Sequence, residues 1–379
     1  MAEDATAVAG PLLIGLPDEI VIWEILVRLD PKSLLRCRAV RRAWCGVTST
    51  RRFLLANHSR QPALPILFST EYIAGVFHHD MLAFDHRSAQ VHTVARLDKP
   101  FGLEASCDGL LVLSKYGKAG DRFSVCNPAT RQYAPLRQLQ GFRLLGMYPH
   151  RPTGEYRLLL NRSYMDSPKG RPGCYIFALG SDHPPRYIGW PKTASWCIGV
   201  SALVHDCLHW YSLWYPSESK PIIVFDTIAE SFRQMRAPIV PTDSSLFDMD
   251  GTVGIHSNNT TIDTEVIDIW VLKNYEREVW DFKYRIELPF TEIRGMFAHC
   301  DEPWEVDVVS VNGDVLLLVH LGWHLLYVNT DGKLFESSYY GHGSLSVFKC
   351  RLKQSLVQHT FFPSLEGYAV NASLASDNC

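Results

Sequence analysis

The chain has 379 residues, 46% of them apolar, so it can bury a sizeable core and fill more than one domain; 40 acidic against 37 basic side chains give a net charge of −3. That near balance argues against a strongly basic nucleic-acid binder, and no stretch approaches the roughly 18 consecutive apolar residues of a membrane span. Ten cysteines without a Cys-x-x-Cys pair fit buried thiols in a reducing compartment.

Residues 1–13 read as a disordered N-terminus: Glu3 and Asp4 stand where a secretory leader is basic, and the apolar stretch 8–14 is interrupted by Gly10 and Pro11. The expected location is the cytoplasm or nucleus. Helical spacing begins next, with Pro17, Asp18 and Glu19 suited to a first turn and Arg28 to a last one. Two apolar stripes are expected on this helix, Ile22, Ile25, Leu26 and Leu29 on one and Ile20, Trp23 and Val27 on the other. Asp30 reads as an N-cap with Pro31 at the first position of a second helix through Ala39. A third segment, 40–49, holds Trp44, and a fourth runs from Arg51 to before Pro62. A unit of this size cannot cover both stripes with its own core, so a partner or the following domain must cover one. Arg36, Arg38, Arg41, Arg42, Arg51 and Arg52 form a basic cluster without interleaved aromatics, which suits a solvated face or steering toward an acidic partner better than nucleic acid.

From Ala63 on, aromatic and β-branched runs are broken repeatedly by Gly, Pro, Asn and Asp, the texture of many short strands. A unit recurs: 106–113 with 123–132, 203–210 with 222–226, and 311–318 with 325–332, with partial copies near 82–85, 175–177 and 269–272. The spacing of about 40 to 55 residues suits a four-stranded propeller blade, and about six units fit. The expected architecture is multidomain α plus all-β: a helical domain over 14–61, a β-propeller-like domain over 62–371 and a flexible tail at 372–379. Segment 356–362 or 368–370 is expected to return and pair near 64–68, closing the ring and removing its open edges. A β-sandwich or two smaller β domains is the alternative.

Candidate chemistry is sparse. His205, Cys207 and His209 would share a face if 205–209 were one strand, but no further motif has metal-ligand spacing. His78, His79 and Asp80, and likewise His299, Cys300 and Asp301, read as loop residues. No Gly-rich phosphate loop, nucleophile elbow or zinc-protease motif occurs. No catalytic residue, metal ligand or cofactor is therefore expected. The aromatic run 210–215 with Trp190, Trp196, Trp304 and Trp323 reads mostly as core and otherwise as a binding surface.

The N-terminal block carries a Leu16-Pro17 start, Ile25-Leu26, Arg28-Leu29, the run Pro31-Lys32-Ser33-Leu34-Leu35, and Val40 followed by Trp44. It resembles a plant F-box, departing only at Arg41-Arg42-Ala43. The resemblance implies contact with a Skp-type adaptor through Leu16, Pro17, Ile20, Ile25, Leu26, Leu29, Leu34 and Val40, with Trp44 either joining them or packing inside. Segments 127–131, 208–210, 265–270 and 360–368 are similar to the F-box-associated region of plant proteins, which implies a β-propeller-like domain that recruits a target protein. The implied role is substrate receptor of a Skp-cullin-F-box (SCF) ubiquitin ligase, in the Ubl conjugation pathway, linked through the adaptor to a cullin-RING ligase and performing no catalysis. A scaffold or carbohydrate-binding module is the alternative. No nucleic-acid or membrane partner is implied.

Overall fold

The computed structural model describes residues 16–97, 99–115, 122–163, 170–189, 200–211, 221–238, 244–260, 264–297, 304–311, 313–336 and 344–364. They form two compact units: one runs to Gln61 and takes in Ser355–Val357, the other comprises Pro62–Gln354 and continues from Gln358.

The first unit is helical. A single α turn, α1 (Asp18–Ile20), passes into a π turn at Val21–Ile25 and a 3-10 turn at Leu26–Arg28, followed by α2 (Pro31–Val40), α3 (Arg42–Thr48) and α4 (Arg51–Arg60). Asp30 caps α2, its carboxylate accepting from the Ser33 backbone N–H at 3.0 Å, and Pro31 opens the helix where a missing N–H costs nothing. The first segment departs from the expected stripes. A π turn followed by a tighter 3-10 turn breaks the 3.6-residue phase, so Ile22, Leu26 and Val27 point inward together while Ile20 and Ile25 stay exposed. Pro17 also sits at the N-cap and not inside the first turn. The core closes on Leu34, Phe53 and Leu54. Asn57 donates to the carbonyls of Val27 and Leu29 at 3.0 and 2.9 Å, and Gln61 donates to Leu29 at 2.8 Å, satisfying carbonyls that the irregular segment leaves without helical partners.

The second unit is a six-bladed β-propeller. Its strands run β1 (Ala63–Ile73), β2 (Val76–Asp85) and β3 (Gln90–Leu97); β4 (Gly102–Cys107), β5 (Leu110–Lys115), β6 (Arg122–Asn127) and β7 (Gln132–Pro135); β8 (Arg143–His150), β9 (Glu155–Arg162), β10 (Gly173–Ala178) and β11 (Arg186–Gly189). They continue as β12 (Ala202–Val204), β13 (Cys207–Tyr211), β14 (Ile222–Asp226) and β15 (Ser231–Met235); β16 (Ser244–Met249), β17 (Thr252–Thr260), β18 (Glu265–Asn274) and β19 (Val279–Glu287); β20 (Glu305–Val311), β21 (Asp314–Leu321), β22 (His324–Asn329) and β23 (Leu334–Glu336); and β24 (Ser344–Lys353). Five blades are consecutive antiparallel meanders of four strands, and the sixth sheet has the order β24-β1-β2-β3.

Ring closure thus joins the two ends of the propeller. β24 pairs with β1 from Ala63↔Lys353 to Thr70↔Ser344, with a bulge between Pro65 and Ile66. The expected closing segment, 356–362, does not do this. Leu356 and Val357 are buried residues of the helical unit, and Phe361 and Phe362 pack on the cluster between the second and third blades. The other expected segment, 368–370, lies outside the described residues. Arg351 fastens the closing strand, pairing with Asp248, with Asp250 at 3.2 Å and with the Ser310 carbonyl, while Ser106 donates to the Arg351 carbonyl at 2.6 Å.

No single core serves the propeller. Each blade meets the next across its own apolar cluster, such as Tyr148, Leu159 and Ile176 against Leu208, Trp210 and Phe225. There the buried Trp210 indole N–H donates to the Leu145 carbonyl across the interface at 3.1 Å. Strands with both faces packed therefore read as continuous apolar runs, as in β13 and β14. Close approach fixes one glycine: a Cβ on Gly254 would lie 2.6 Å from the Phe247 ring.

Candidate functional site

The helical unit keeps much of its apolar surface outside. Of the nine residues implied in adaptor contact, Leu16, Pro17, Ile20, Ile25 and Val40 are exposed, Leu29 and Trp44 are half-buried, and Leu26 and Leu34 are interior. Leu35, Val47 and Leu55, which were not among the nine, are exposed as well. Trp44 has both characters: its indole N–H reaches the Asp18 carboxylate at 3.4 Å and the Arg41 guanidinium lies 5.9 Å from its ring. The basic cluster divides in the same way. Arg38 is spent internally on Thr48, Arg41 pairs with Asp18, Arg52 lies over Trp23, and Arg36, Arg42 and Arg51 are exposed.

The propeller has two unlike faces. Connections from first to second strand and from third to fourth emerge on one face, and those from second to third strand and between blades emerge on the other. The first face is built of tight turns. Asp108-Gly109, His205-Asp206 and Asp250-Gly251 all take positive φ at both positions, between 49° and 90°, the two-residue turn that antiparallel strands favour. Asn127, Asp226, Asp248, Asn274 and Asn329 cap their turns by accepting local backbone N–H groups. The second face carries α5 (Phe290–Met296), which follows the fourth strand of its blade. On this face Tyr72, Ile73, Val76, Phe77, Met296 and Trp323 are exposed.

The central cavity, about 220 Å³, is lined from all six innermost strands by residues that include Asp108, Met147, Leu203, Asp248, Asp307, Lys349 and Arg351. His256 also lines it, donating from Nδ1 to Asn258 at 3.2 Å, with its pKa pushed down to about 4 by burial and then by the charge of Lys349. Of these charges Arg351 pairs with Asp248, whereas Lys349 donates to the Ser245 hydroxyl and Asp108 accepts from the Tyr156 hydroxyl.

His205 and Asp206 form a positive-φ turn and not the start of a strand, yet the three candidate side chains still meet at one residue: His205 stacks on the Tyr275 ring at 4.9 Å, Cys207 hydrogen-bonds with the Tyr275 hydroxyl and His209 reaches it at 2.9 Å. His209 is fully buried, donating from Nδ1 to the Ala202 carbonyl at 3.2 Å and accepting at Nε2 from the Tyr275 hydroxyl at 2.9 Å, with its pKa lowered to about 4 by burial. His78, His79 and Asp80 lie in strand β2, correcting their reading as a loop; Asp80 is clamped by Arg96 through two bonds of 2.7 and 2.8 Å. His299, Cys300 and Asp301 lie outside the described residues. Among the described residues no group of three or more His, Cys, Asp or Glu side chains could hold a metal ion. Nor is any helix among them long and apolar enough to cross a membrane. Trp304 donates to Glu265 at 2.8 Å, whereas Trp323 is exposed; Trp190, Trp196 and 212–215 lie outside the described residues.

Sequence reading passed over the exposed hairpin that carries Tyr72, Ile73, Val76 and Phe77. Its signal was present, a small-residue Ala74-Gly75 pair between two apolar runs, but no copy of the repeat marked it.

Residues 77–337 match the F-box associated beta propeller domain. Similar curated proteins come from Arabidopsis thaliana. F-box protein At1g30790 is 23% identical over 317 residues, covering 71% of this chain and 74% of that protein. F-box/LRR-repeat/kelch-repeat protein At1g09650 is 28% identical over 265 residues, covering 61% of this chain and 67% of that protein. Among solved structures, TolB from Acinetobacter baumannii superposes with a TM-score of 0.47 at 14% identity, covering 77% of this chain and 67% of that one.

Proposed function

The chain belongs to the F-box associated beta propeller domain family, and from that premise we propose that it is the target-recruiting subunit of a Skp-cullin-F-box ubiquitin ligase, working in the cytoplasm or nucleus. In this reading residues 14–61 are the F-box and dock on a Skp-type adaptor that leads to a cullin-RING ligase. The propeller holds a target protein so that its lysines meet the charged conjugating enzyme. The chain contributes proximity, and bond making belongs to other subunits.

One observation carries the reading. The helical unit, small as it is, leaves Leu16, Ile20, Ile25, Leu35, Val40, Val47 and Leu55 exposed, more apolar surface than a unit of this size presents to water without a partner. The relatives named above are F-box proteins, which supports the same assignment. Exposed Arg36, Arg42 and Arg51 would speed encounter with an acidic adaptor.

The test is co-purification with a Skp-type adaptor. Ile25→Asp with Val40→Asp changes exposed side chains only, so the expected result is unchanged thermal melting with adaptor capture lost. Adaptor capture at the wild-type level by this variant would overturn the docking assignment. A second reading, a scaffold or carbohydrate-binding module, draws on the exposed indole of Trp323 beside His324. Retention on an immobilised glycan that Trp323→Ala abolishes would favour it.

A further inference from the structure

The hairpin of the first blade reaches beyond both of its neighbours. β24 accompanies β1 only as far as Thr70, and β3 accompanies β2 only back to His79, so residues 71–78 stand out as a two-stranded ribbon. Ala74 and Gly75 turn it with φ of 51° and 87°, the left-handed pair that matches the twist of a ribbon. Tyr72, Ile73, Val76 and Phe77 are 63, 46, 56 and 58% exposed, four of the nine large apolar side chains exposed among the propeller's described residues.

A ladder of rings anchors this tip to the interior. Phe101 and Phe348 lie 5.0 and 6.0 Å from Phe68; Phe68 stacks on His79 at 5.8 Å, His79 on Phe77 at 6.5 Å, and Phe77 meets Tyr72 at 4.7 Å. Burial holds His79 below its ordinary pKa, which keeps the middle rung of the ladder uncharged at neutral pH.

Among the described residues the backbone is open as well. Ile73 and Val76 flank the two-residue turn as a hydrogen-bonded pair, so Tyr72 and Phe77 form the next, non-bonded pair, with N–H and C=O groups directed to the outer edges of the ribbon. No described strand takes up either edge at these residues. Little guards this edge: 71–78 contain neither lysine nor proline, and their one carboxylate, Glu71, lies at the base of the ribbon.

We propose that this ribbon is the docking strand for the target: an extended segment of the target protein adds to an open edge at Tyr72 or Phe77, with alternate apolar side chains laid on the exposed rings. The occupant is specified by the open backbone, which only an extended chain can satisfy, and by the apolar rungs, which select alternating side chains. That the occupant is a target for ubiquitination rests on the receptor reading above; the binding chemistry does not.

The experiment uses the full chain. A display library of unstructured twelve-residue peptides is selected on wild type and counter-selected on Tyr72→Ser with Phe77→Ser. Enriched peptides are expected to alternate apolar and polar residues and to bind the double variant at least about tenfold more weakly. A proline in the middle of the peptide should abolish binding, and bound peptide should slow amide exchange at Tyr72 or Phe77. No enrichment over the counter-selection, tolerance of the proline, or unchanged exchange at both amides would overturn the proposal. Adaptor co-purification, measured on the same two proteins, should not differ between them. If wild type fails to bind the adaptor, the receptor reading falls and the peptide result still decides the ribbon.

Discussion

Seven of the sixteen large apolar side chains exposed among the described residues belong to the helical unit, and four more sit on one hairpin of a propeller several times longer. The propeller otherwise closes on itself, since each blade covers the next and the last strand returns to the first sheet. The helical unit has no such geometric closure: a bundle of four short helices can cover one side of its first segment and leaves the other to water. A ring has no uncovered end; a short bundle always has one. The proposed adaptor contact accounts for the open apolar surface of the helices and not for that of the ribbon, which is why the ribbon carries the sharper inference.

The largest effect expected from this contrast is at the closure. Stopping the chain before Ser344 removes the inner strand of the first blade and exposes β1 and the inter-blade clusters on both sides of it. That should cost stability comparable to the whole folding free energy of a domain, about 5–15 kcal/mol, and abolish a cooperative thermal transition. Stopping after Gln354 keeps β24 and should leave a cooperative propeller transition. Equal behaviour of the two truncations, in calorimetry or protease resistance, would mean that closure is not what holds the ring.

The six-unit pattern was legible because three blades carry fuller copies of one strand-turn pattern, as at Asp108-Gly109 and Asn127-Pro128, with partial copies in the others, and because strands packed on both faces read as unbroken apolar runs. The closing strand was not legible. β24 alternates buried with more exposed positions, since an innermost strand meets its neighbours on one side and the central cavity on the other, so Lys349 and Arg351 disguised it. The more apolar 356–362 looked the better strand, yet its apolar residues serve other clusters. In the helical unit, segment boundaries were readable from Asp30-Pro31 and Thr50, but the inward face was not. Periodicity assumes a constant 3.6 residues per turn, and the π and 3-10 turns violate it where the adaptor-facing residues had to be sorted.

A pair of truncations within the helical unit sharpens the comparison between covered and open surface. Leu34 is fully buried, while Val40, six residues later on the same helix, is 77% exposed. Leu34→Ala should destabilise the unit by about 2–5 kcal/mol through lost burial and the cavity left behind. Val40→Ala should alter stability by no more than about 0.5 kcal/mol and instead weaken adaptor capture. A Val40→Ala chain that melts early and captures the adaptor normally would place Val40 in a structural role.

Acid should weaken the propeller through its buried histidines. His209 and His256 are held neutral, with pKa values near 4 against the ordinary 6.5. Below 6.5 the unfolded chain therefore takes up protons that the folded one refuses, and stability falls with pH until about 4, where the folded imidazoles protonate too. Each group accounts for about 3 kcal/mol over that window. His209→Asn should lower stability at neutral pH, because the Tyr275 and Ala202 contacts are disturbed, but flatten the decline between pH 6.5 and 4. An unaltered slope in denaturant titrations would reassign the acid sensitivity.

A smaller pH effect belongs to the cap that starts α2. Asp30 is held below the ordinary carboxylate range: partial burial pushes its pKa upward, but the side-chain and backbone hydrogen bonds from Ser33 and the Lys32 backbone outweigh it. The direction fixes the pH window. Because the folded pKa lies below the unfolded one, the cap contributes fully above the ordinary value of 3.8 and loses its contribution as pH falls through the lowered folded value. Asp30→Ala should therefore cost about 1 kcal/mol at neutral pH, and less in strong acid. Asp30→Asn keeps an accepting oxygen for Ser33 without the charge, so it should retain most of the stability while losing that pH dependence. If Asp30→Asn is as damaging as Asp30→Ala, the charge and not the hydrogen bond starts the helix, and the stability lost in either variant would then be one that salt screens in the wild type.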